Sequence, residues 1–197
     1  GGPGPQYQGK AQRTIEGLQM ELQYWELDAK PYENDLPGLR LALQRRKREM
    51  AKSKGYDFSY YSDEQLTDHY HYTVFPNVSF SMKPDGCIFL MGRPHPTDPE
   101  KCLFDMWYLT LFPVGAKEYF AQSVREWVSI DHQVEHQQGK VGEVSCGPGI
   151  DQDLTIWYTQ QAGLRSRGYR GEYMPWQERR IKYFHDTIDR YIAKHGG

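Results

Sequence analysis

Between Thr14 and Leu27 apolar and polar positions alternate: Leu18, Met20, Leu22 and Tyr24 fall on one side, Gln19, Glu21 and Gln23 on the other. A period of two predicts a half-buried strand. Pro31 and Pro37 punctuate the loop that follows. From Leu39 to Lys54 the pattern changes, with Leu39, Leu43 and Met50 set among arginines and lysines. That predicts an amphipathic helix stopped by Gly55. Ser62 and Gln65 have the spacing of a capping box, in which each side chain satisfies the other residue's backbone N–H at a helix start.

Alternation returns from His71 to Lys83, where Val78, Phe80 and Met82 oppose Asn77, Ser79 and Ser81. Pro84-Asp85-Gly86 predicts a turn in which Gly86 supplies positive φ, and Cys87 to Met91 is the return strand of a hairpin. The segment Arg93 to Pro99 is too rich in proline for regular structure. Cys102 to Phe112 is apolar on both faces apart from Asp105 and Thr110, which predicts a strand inside a sheet covered on both sides.

Tyr119, Phe120, Val124, Trp127 and Val128 stand near helical spacing, so Ala116 to His136 is expected to be a helix, followed by a loop over Gly139 to Gly149. Asp151 to Gln161 has helical length, with Gly163 as its cap. The last helix has Pro175 at its first turn, a stripe of Ile181, Phe184, Ile188 and Ile192, and Gly196 at its end. Consecutive strands followed by terminal helices describe an α+β domain, an antiparallel sheet with helices gathered on one side.

Composition narrows the function classes. At 197 residues the chain is one domain or most of one. Fifteen Tyr and five Trp suit either an aromatic-lined cavity or interface, or an aromatic core. A formal net charge of −2 gives no global attraction for nucleic acid. The basic run Arg45-Arg46-Lys47-Arg48 reads as a solvated helix face. Cys87, Cys102 and Cys146 form neither a disulfide framework nor a zinc ribbon, and a reducing, cytoplasmic setting is expected. No apolar run approaches the ~20 residues that span a bilayer. The opening Gly1-Gly2-Pro3-Gly4-Pro5 reads as a linker, a tag scar or a break inside a longer gene.

Two places could carry chemistry. Asp151 and Asp153 open a helix, where anionic side chains are favoured by up to ~1 kcal/mol. His132-Gln133-Val134-Glu135-His136 is a literal H-x-x-E-H string. On a helix it would put His132 and His136 on one face as zinc ligands, with Glu135 as general base of a hydrolase. The same string at a helix end is otherwise exposed surface. His95 is expected in a loop, His185 at a core or interface, and no phosphate loop or nucleophile elbow is present.

The order of motifs adds to this reading. Asp153, Gln161 eight residues on, then Gly163-Leu164-x-Ser166, Gly168, Gly171, Glu178, Ile181, Phe184-His185 and Asp189 form one series. Upstream stand Tyr72-x-x-Phe75-Pro76-Asn77 and Arg93-Pro94-x-Pro96-x-Asp98. Over roughly residues 60 to 195 this resembles the catalytic domain of Rieske-type non-haem iron ring-hydroxylating oxygenase α subunits. The resemblance implies a helix-grip (START-like) antiparallel sheet packed around a long C-terminal helix, with its N-terminal part missing. Residues 1–197 would be a partial catalytic domain without its Rieske domain.

The resemblance also implies that Asp153 is the carboxylate of a two-His-one-Asp site for mononuclear Fe(II), a triad that leaves positions open for dioxygen and substrate. Asp151 is then a cap or a supporting acid. Phe104, Met106 and Tyr108 are pocket or packing residues. The family's histidines come from Glu/Asp-x-Tyr-His-x4-His, yet no histidine precedes His69. Asp68-His69-Tyr70-His71 matches the first half, but Pro76 stands where the second histidine belongs, so the match reads as coincidental. The cysteines and histidines of a Rieske cluster are absent too. The expectation is a chain that holds neither the [2Fe-2S] cluster nor a complete iron site. Its parent would hydroxylate aromatic or other apolar ring substrates with dioxygen and NAD(P)H-derived electrons delivered by a ferredoxin or reductase, as a trimer, with no nucleic acid or membrane partner. The rival readings are a helix-grip binding module for an apolar ligand and the zinc hydrolase.

Overall fold

The computed structural model describes residues 10–121, 126–171 and 173–196. It is α+β, with a four-stranded antiparallel sheet and a long C-terminal helix. The elements are α1 (Lys10–Tyr24), α2 (Leu36–Met50), β1 (Tyr70–Val74), β2 (Val78–Lys83), β3 (Gly86–Pro94), β4 (Cys102–Thr110), β5 (Glu118–Ala121), β6 (Glu126–Ser129), α3 (Pro148–Leu164) and α4 (Arg179–His195). Strands β1 to β4 lie in sequence order, and β5 pairs with β6 as a separate hairpin. The chain divides into two compact units, one made of residues 1–72, 79–90 and 107–132, the other of 73–78, 91–106 and 133–197.

In the first unit the expected strand over Thr14–Leu27 is helix α1. Both periods fit the residues: Ile15, Leu18, Leu22 and Trp25 repeat every three to four positions, while Leu18, Met20, Leu22 and Tyr24 repeat every two. The core decides between them. Leu22 and Trp25 are buried against Leu39 and Leu43 of α2, with Ala51, Phe58 and Leu66 closing the cluster, whereas Met20 stays 48% exposed. Trp25 meets Tyr24 edge-on at 5.1 Å, with Tyr56 at 5.7 Å and Phe58 at 5.9 Å.

Helix α2 starts where Asp35 accepts the Gly38 N–H at 2.9 Å. Its basic run is not a solvated face, apart from Arg45. Lys47 is buried and donates to Glu21 Oε1 at 2.5 Å and to the Leu66 carbonyl at 2.6 Å. Arg46 donates to the Trp25 carbonyl at 3.1 Å, and Arg48 to Asp63 at 2.9 Å and to the carbonyls of Phe58 and Tyr61. These cations reach α1, its end and the residues from Phe58 to Leu66, so they tie α2 into its surroundings. The capping box forms as expected: Gln65 Oε1 accepts the Ser62 N–H at 2.8 Å and Ser62 Oγ accepts the Gln65 N–H at 3.4 Å.

The β2–β3 hairpin also forms, but Gly86 is needed for a different reason. Its φ is not positive; a Cβ there would lie 2.6 Å from the Leu109 carbonyl oxygen. Alternation in β1 and β2 separates a polar face, where His71 bonds Ser81 Oγ at 2.8 Å, from an aromatic one. On the latter one ring from each strand forms a ladder: Tyr72 to Phe80 at 5.4 Å, Phe80 to Phe89 at 6.5 Å and Phe89 to Trp107 at 5.4 Å. Such pairs contribute about 0.5–1.5 kcal/mol each beyond the area they bury.

The helix expected over Ala116–His136 is the β5–β6 hairpin, with Tyr119 opposite Val128 and Phe120 opposite Trp127. Rings and branched side chains fit a pleated surface better than a helix turn, and Trp127 stacks on Tyr24 at 5.8 Å while Tyr119 meets Phe112 at 4.9 Å. Val124 lies outside the described residues. Strand β4, expected inside the sheet, is its edge: Leu103, Trp107, Tyr108 and Leu109 are exposed.

In the second unit the Phe-Pro-Asn segment joins β1 to β2. Phe75 packs on Phe184 at 5.7 Å and Tyr191 at 5.8 Å, and Asn77 Nδ2 donates to the Gly92 carbonyl at 2.8 Å. The motif residues thus seat the last helix and hold β3. Arg93 and Pro94 belong to β3 rather than to the following loop. On α4 the expected stripe is covered only at its centre: Phe184 and Ile188 are half-buried, Ile181 and Ile192 exposed. Gly196 ends α4, its N–H donating to the Ile192 carbonyl at 2.6 Å.

Candidate functional site

Helix α3 carries the residues that the motif series singles out. Gly147, at φ 94° and ψ 153°, turns the chain into it, and Pro148 occupies the first turn, where its missing N–H costs nothing. Gly163 is inside the helix rather than capping it; the helix ends at Leu164 with Arg165 still helical. Asp151 stands in the first turn and turns back to the preceding loop. Its carboxylate accepts Ser145 Oγ at 2.6 Å and the Cys146 N–H at 2.7 Å. Burial, and then the Asp151 charge, push the Cys146 thiol up from its ordinary value, so it stays protonated at neutral pH.

Asp153 is exposed and forms no ion pair among the described residues. It sits in the second turn, where the helix dipole is weaker than at Asp151. Its neighbour Leu154 is buried. Three residues on, Trp157 meets Phe104 of β4 edge to face at 5.2 Å. Further along, Gln161 Nε2 donates to Glu100 Oε2 at 3.4 Å, and Arg165 forms an ion pair with the same carboxylate. The spacing Asp153–Gln161–Gly163 therefore corresponds to a helix pinned at its far end by Glu100. Glu100 was not singled out in the sequence, because nothing local marks a loop carboxylate for a partner 61 residues away.

The remaining candidates are dispersed. His95 is the loop residue expected: its Nδ1 accepts the N–H groups of Thr97 at 3.3 Å and Asp98 at 3.1 Å. Arg93 holds Asp105 at 2.5 Å, and this bond keeps the Asp105 carboxyl below the usual carboxylate range. Met106 and Tyr108 lie on edge strand β4 beside Phe104. His185 is exposed on α4, next to Phe184. The H-x-x-E-H string is not helical; residues 132–140 have no regular structure and are exposed. Without a helix the i, i+4 relation no longer aligns two imidazoles, so the zinc-hydrolase geometry of His132, Glu135 and His136 is not formed.

Among the described residues no group of three or more His, Cys, Asp or Glu side chains could hold a metal ion. One exposed carboxylate on α3, with no imidazole beside it, does not fit mononuclear iron by itself. No helix of the described residues is long and apolar enough to cross a membrane.

The antiparallel sheet, the helix after it that bears the motif acid, and the closing helix seated on the Phe-Pro-Asn turn are the elements that the motif series led one to expect. The family model for the ring hydroxylating alpha subunit (catalytic domain) matches residues 12–194, and the chain belongs to that family. Searches against curated proteins and against solved structures found no match.

Proposed function

We propose that this chain is part of the catalytic domain of a Rieske-type oxygenase that hydroxylates aromatic or other apolar ring compounds. Dioxygen and NAD(P)H-derived electrons, passed by a ferredoxin or reductase through a [2Fe-2S] cluster, would supply the oxidising chemistry at mononuclear Fe(II). The match over residues 12–194 carries this reading. We assign Asp153 as the residue this chain contributes to the iron. The spacing of Asp153 to Gln161 and Gly163 supports this assignment, and Asp151 is committed to the α3 entrance. The paired histidines and the cluster ligands come from sequence other than these 197 residues, so the chain alone is inactive. A trimeric parent in the cytoplasm completes the proposal.

What the chain's own residues do is positional. Phe104 and Trp157 brace the middle of α3, Glu100 braces its end, and Asp151 its start, so that the helix carrying Asp153 is held at three points along its length. A second reading, an apolar-ligand binding module, is favoured by the ladder Tyr72–Phe80–Phe89–Trp107, which presents half-exposed ring faces.

The test is made on the full gene product, with Asp153→Ala beside it. The expected result is oxygen-dependent hydroxylation of a ring compound, with the mononuclear iron signal lost in the variant while the cluster signal and far-UV spectrum persist. Full iron retention in Asp153→Ala overturns the assignment of that residue. Binding of ring compounds by an iron-free, fully folded product supports the binding module instead.

A further inference from the structure

We propose that the segment from Arg165 to Arg180, which joins α3 to α4, is a docking surface for a protein presenting clustered carboxylates. The segment holds five arginines and two glutamates, a surplus of three positive charges in a chain of formal net charge −2; the other residues therefore carry −5. The concentration is local and all arginine. Guanidinium groups bind carboxylates through two parallel hydrogen bonds, which lysines do not.

Four of the arginines elsewhere among the described residues are already neutralised. Arg40, Arg46, Arg48 and Arg93 each hold a carboxylate partner. Within the segment Arg165 is paired with Glu100, but Arg167, Arg170, Arg179 and Arg180 have no carboxylate partner among the described residues. Exposed aromatic rings are interleaved with them: Tyr173 is 94% and Trp176 77% exposed, and Tyr169 is exposed as well. Tyr, Trp and Arg are the residues that dominate binding energy at protein interfaces.

The surface is also ordered before a partner arrives. Arg170 Nη1 donates to the carbonyls of Arg167 at 2.6 Å and Tyr169 at 3.0 Å, and the Tyr169 N–H donates to the Ser166 carbonyl at 3.1 Å. Gly171 follows at φ 106°, a backbone conformation that glycine adopts without strain. Arg179 stacks over the Trp176 ring at 4.3 Å from its centroid, which holds both side chains in one orientation. Groups fixed in advance lose less entropy on binding. A chain of net charge −2 offers a long polyanion no overall attraction, whereas a compact acidic patch needs only the local surplus. That contrast favours a protein over nucleic acid, and the surface is independent of the role given to Asp153.

The test uses the whole chain with a labelled glutamate-rich peptide containing a central tyrosine, read by fluorescence anisotropy at low and physiological salt. Binding is expected at low salt, weakening as salt rises. The pair Arg167→Glu and Arg170→Glu should weaken it about tenfold or more, as should Trp176→Ala, each tenfold being about 1.4 kcal/mol. Arg45→Glu, at an exposed arginine on α2, should leave it unchanged, and far-UV spectra establish that all variants fold. Three outcomes overturn the proposal: no peptide bound at low salt, equal binding by the patch variants, or tighter binding of a single-stranded RNA oligonucleotide or phosphatidylglycerol vesicles lost in the same variants.

Discussion

Ser145 Oγ donates a 2.6 Å hydrogen bond to Asp151 Oδ2 and thereby closes the loop onto the first turn of α3. Two acids two residues apart thus have different duties. Asp151 is a capping acid, and Asp153 is free of structural obligations among the described residues. Asp151→Ala should destabilise the chain by roughly 0.5–2 kcal/mol, the cost of losing a helix-start acceptor. Asp153→Asn should stay within about 0.5 kcal/mol, as at other exposed positions. Thermal melts of the two variants compare them directly, and a larger loss at Asp153 would make it a structural residue.

Lys47 is the most consequential charge in the molecule. Its side chain is 2% exposed and meets Glu21, itself 20% exposed. Removing one member of a buried pair leaves the other desolvated and alone, at a cost of about 3–5 kcal/mol. Lys47→Ala is therefore expected to lower the urea midpoint strongly, while Lys47→Met combined with Glu21→Leu should recover most of the loss. A midpoint unchanged by Lys47→Ala would refute the pair's role.

His69 gives the chain an acid sensitivity. Burial first, and then the Lys83 charge, hold its imidazolium below the ordinary histidine value. The unfolded state binds the proton more readily, so the stabilisation is complete above about pH 6.5 and is lost as pH falls through the lowered folded value. The stability difference between the natural chain and His69→Gln, followed by denaturation from pH 7.5 downward, should shrink on acidification. A difference independent of pH would exclude this coupling.

Tyr56 sets a limit on the alkaline side. Burial, then the hydrogen bond shared with the Tyr24 hydroxyl, raise its phenol far above the ordinary tyrosine value. Its contribution is whole below about pH 10 and declines above it, because only the unfolded chain then releases the proton. Tyr56→Phe should flatten the loss of stability above that point, as followed by near-UV circular dichroism.

Gly55 is held to glycine by geometry. It has φ 83°, and a Cβ would lie 2.5 Å from the Val114 carbonyl oxygen. Gly55→Ala should cost more than about 1 kcal/mol, since alanine resists positive φ and the backbone of Val114 cannot withdraw without losing its 3.0 Å bond to the Gly55 carbonyl. Equilibrium denaturation of the variant checks this, and a neutral result would mean the turn tolerates a rearranged path.

What residues 62 to 65, 84 to 86 and 179 to 196 encode is local, and it was legible without coordinates, although Pro175 precedes a short 3-10 turn (Trp176–Glu178) and not the first turn of α4. A capping box, a hairpin turn and a helix with its stop each depend on neighbours within a few positions. The family, too, was legible in the ordered motifs that the match over residues 12–194 bears out. Tertiary contacts alone decided α1 and the β5–β6 hairpin. In α1 two apolar periods coexist, and only burial of Leu22 and Trp25 against α2 selects the helical one. In β5 and β6 facing pairs such as Phe120 and Trp127, with the contacts of Trp127 to Tyr24 and of Tyr119 to Phe112, make strands of residues spaced like a helix. The duties of Asp151, Lys47 and Glu100 fall in the same class, because a side chain's type announces its charge but not which distant group will share it.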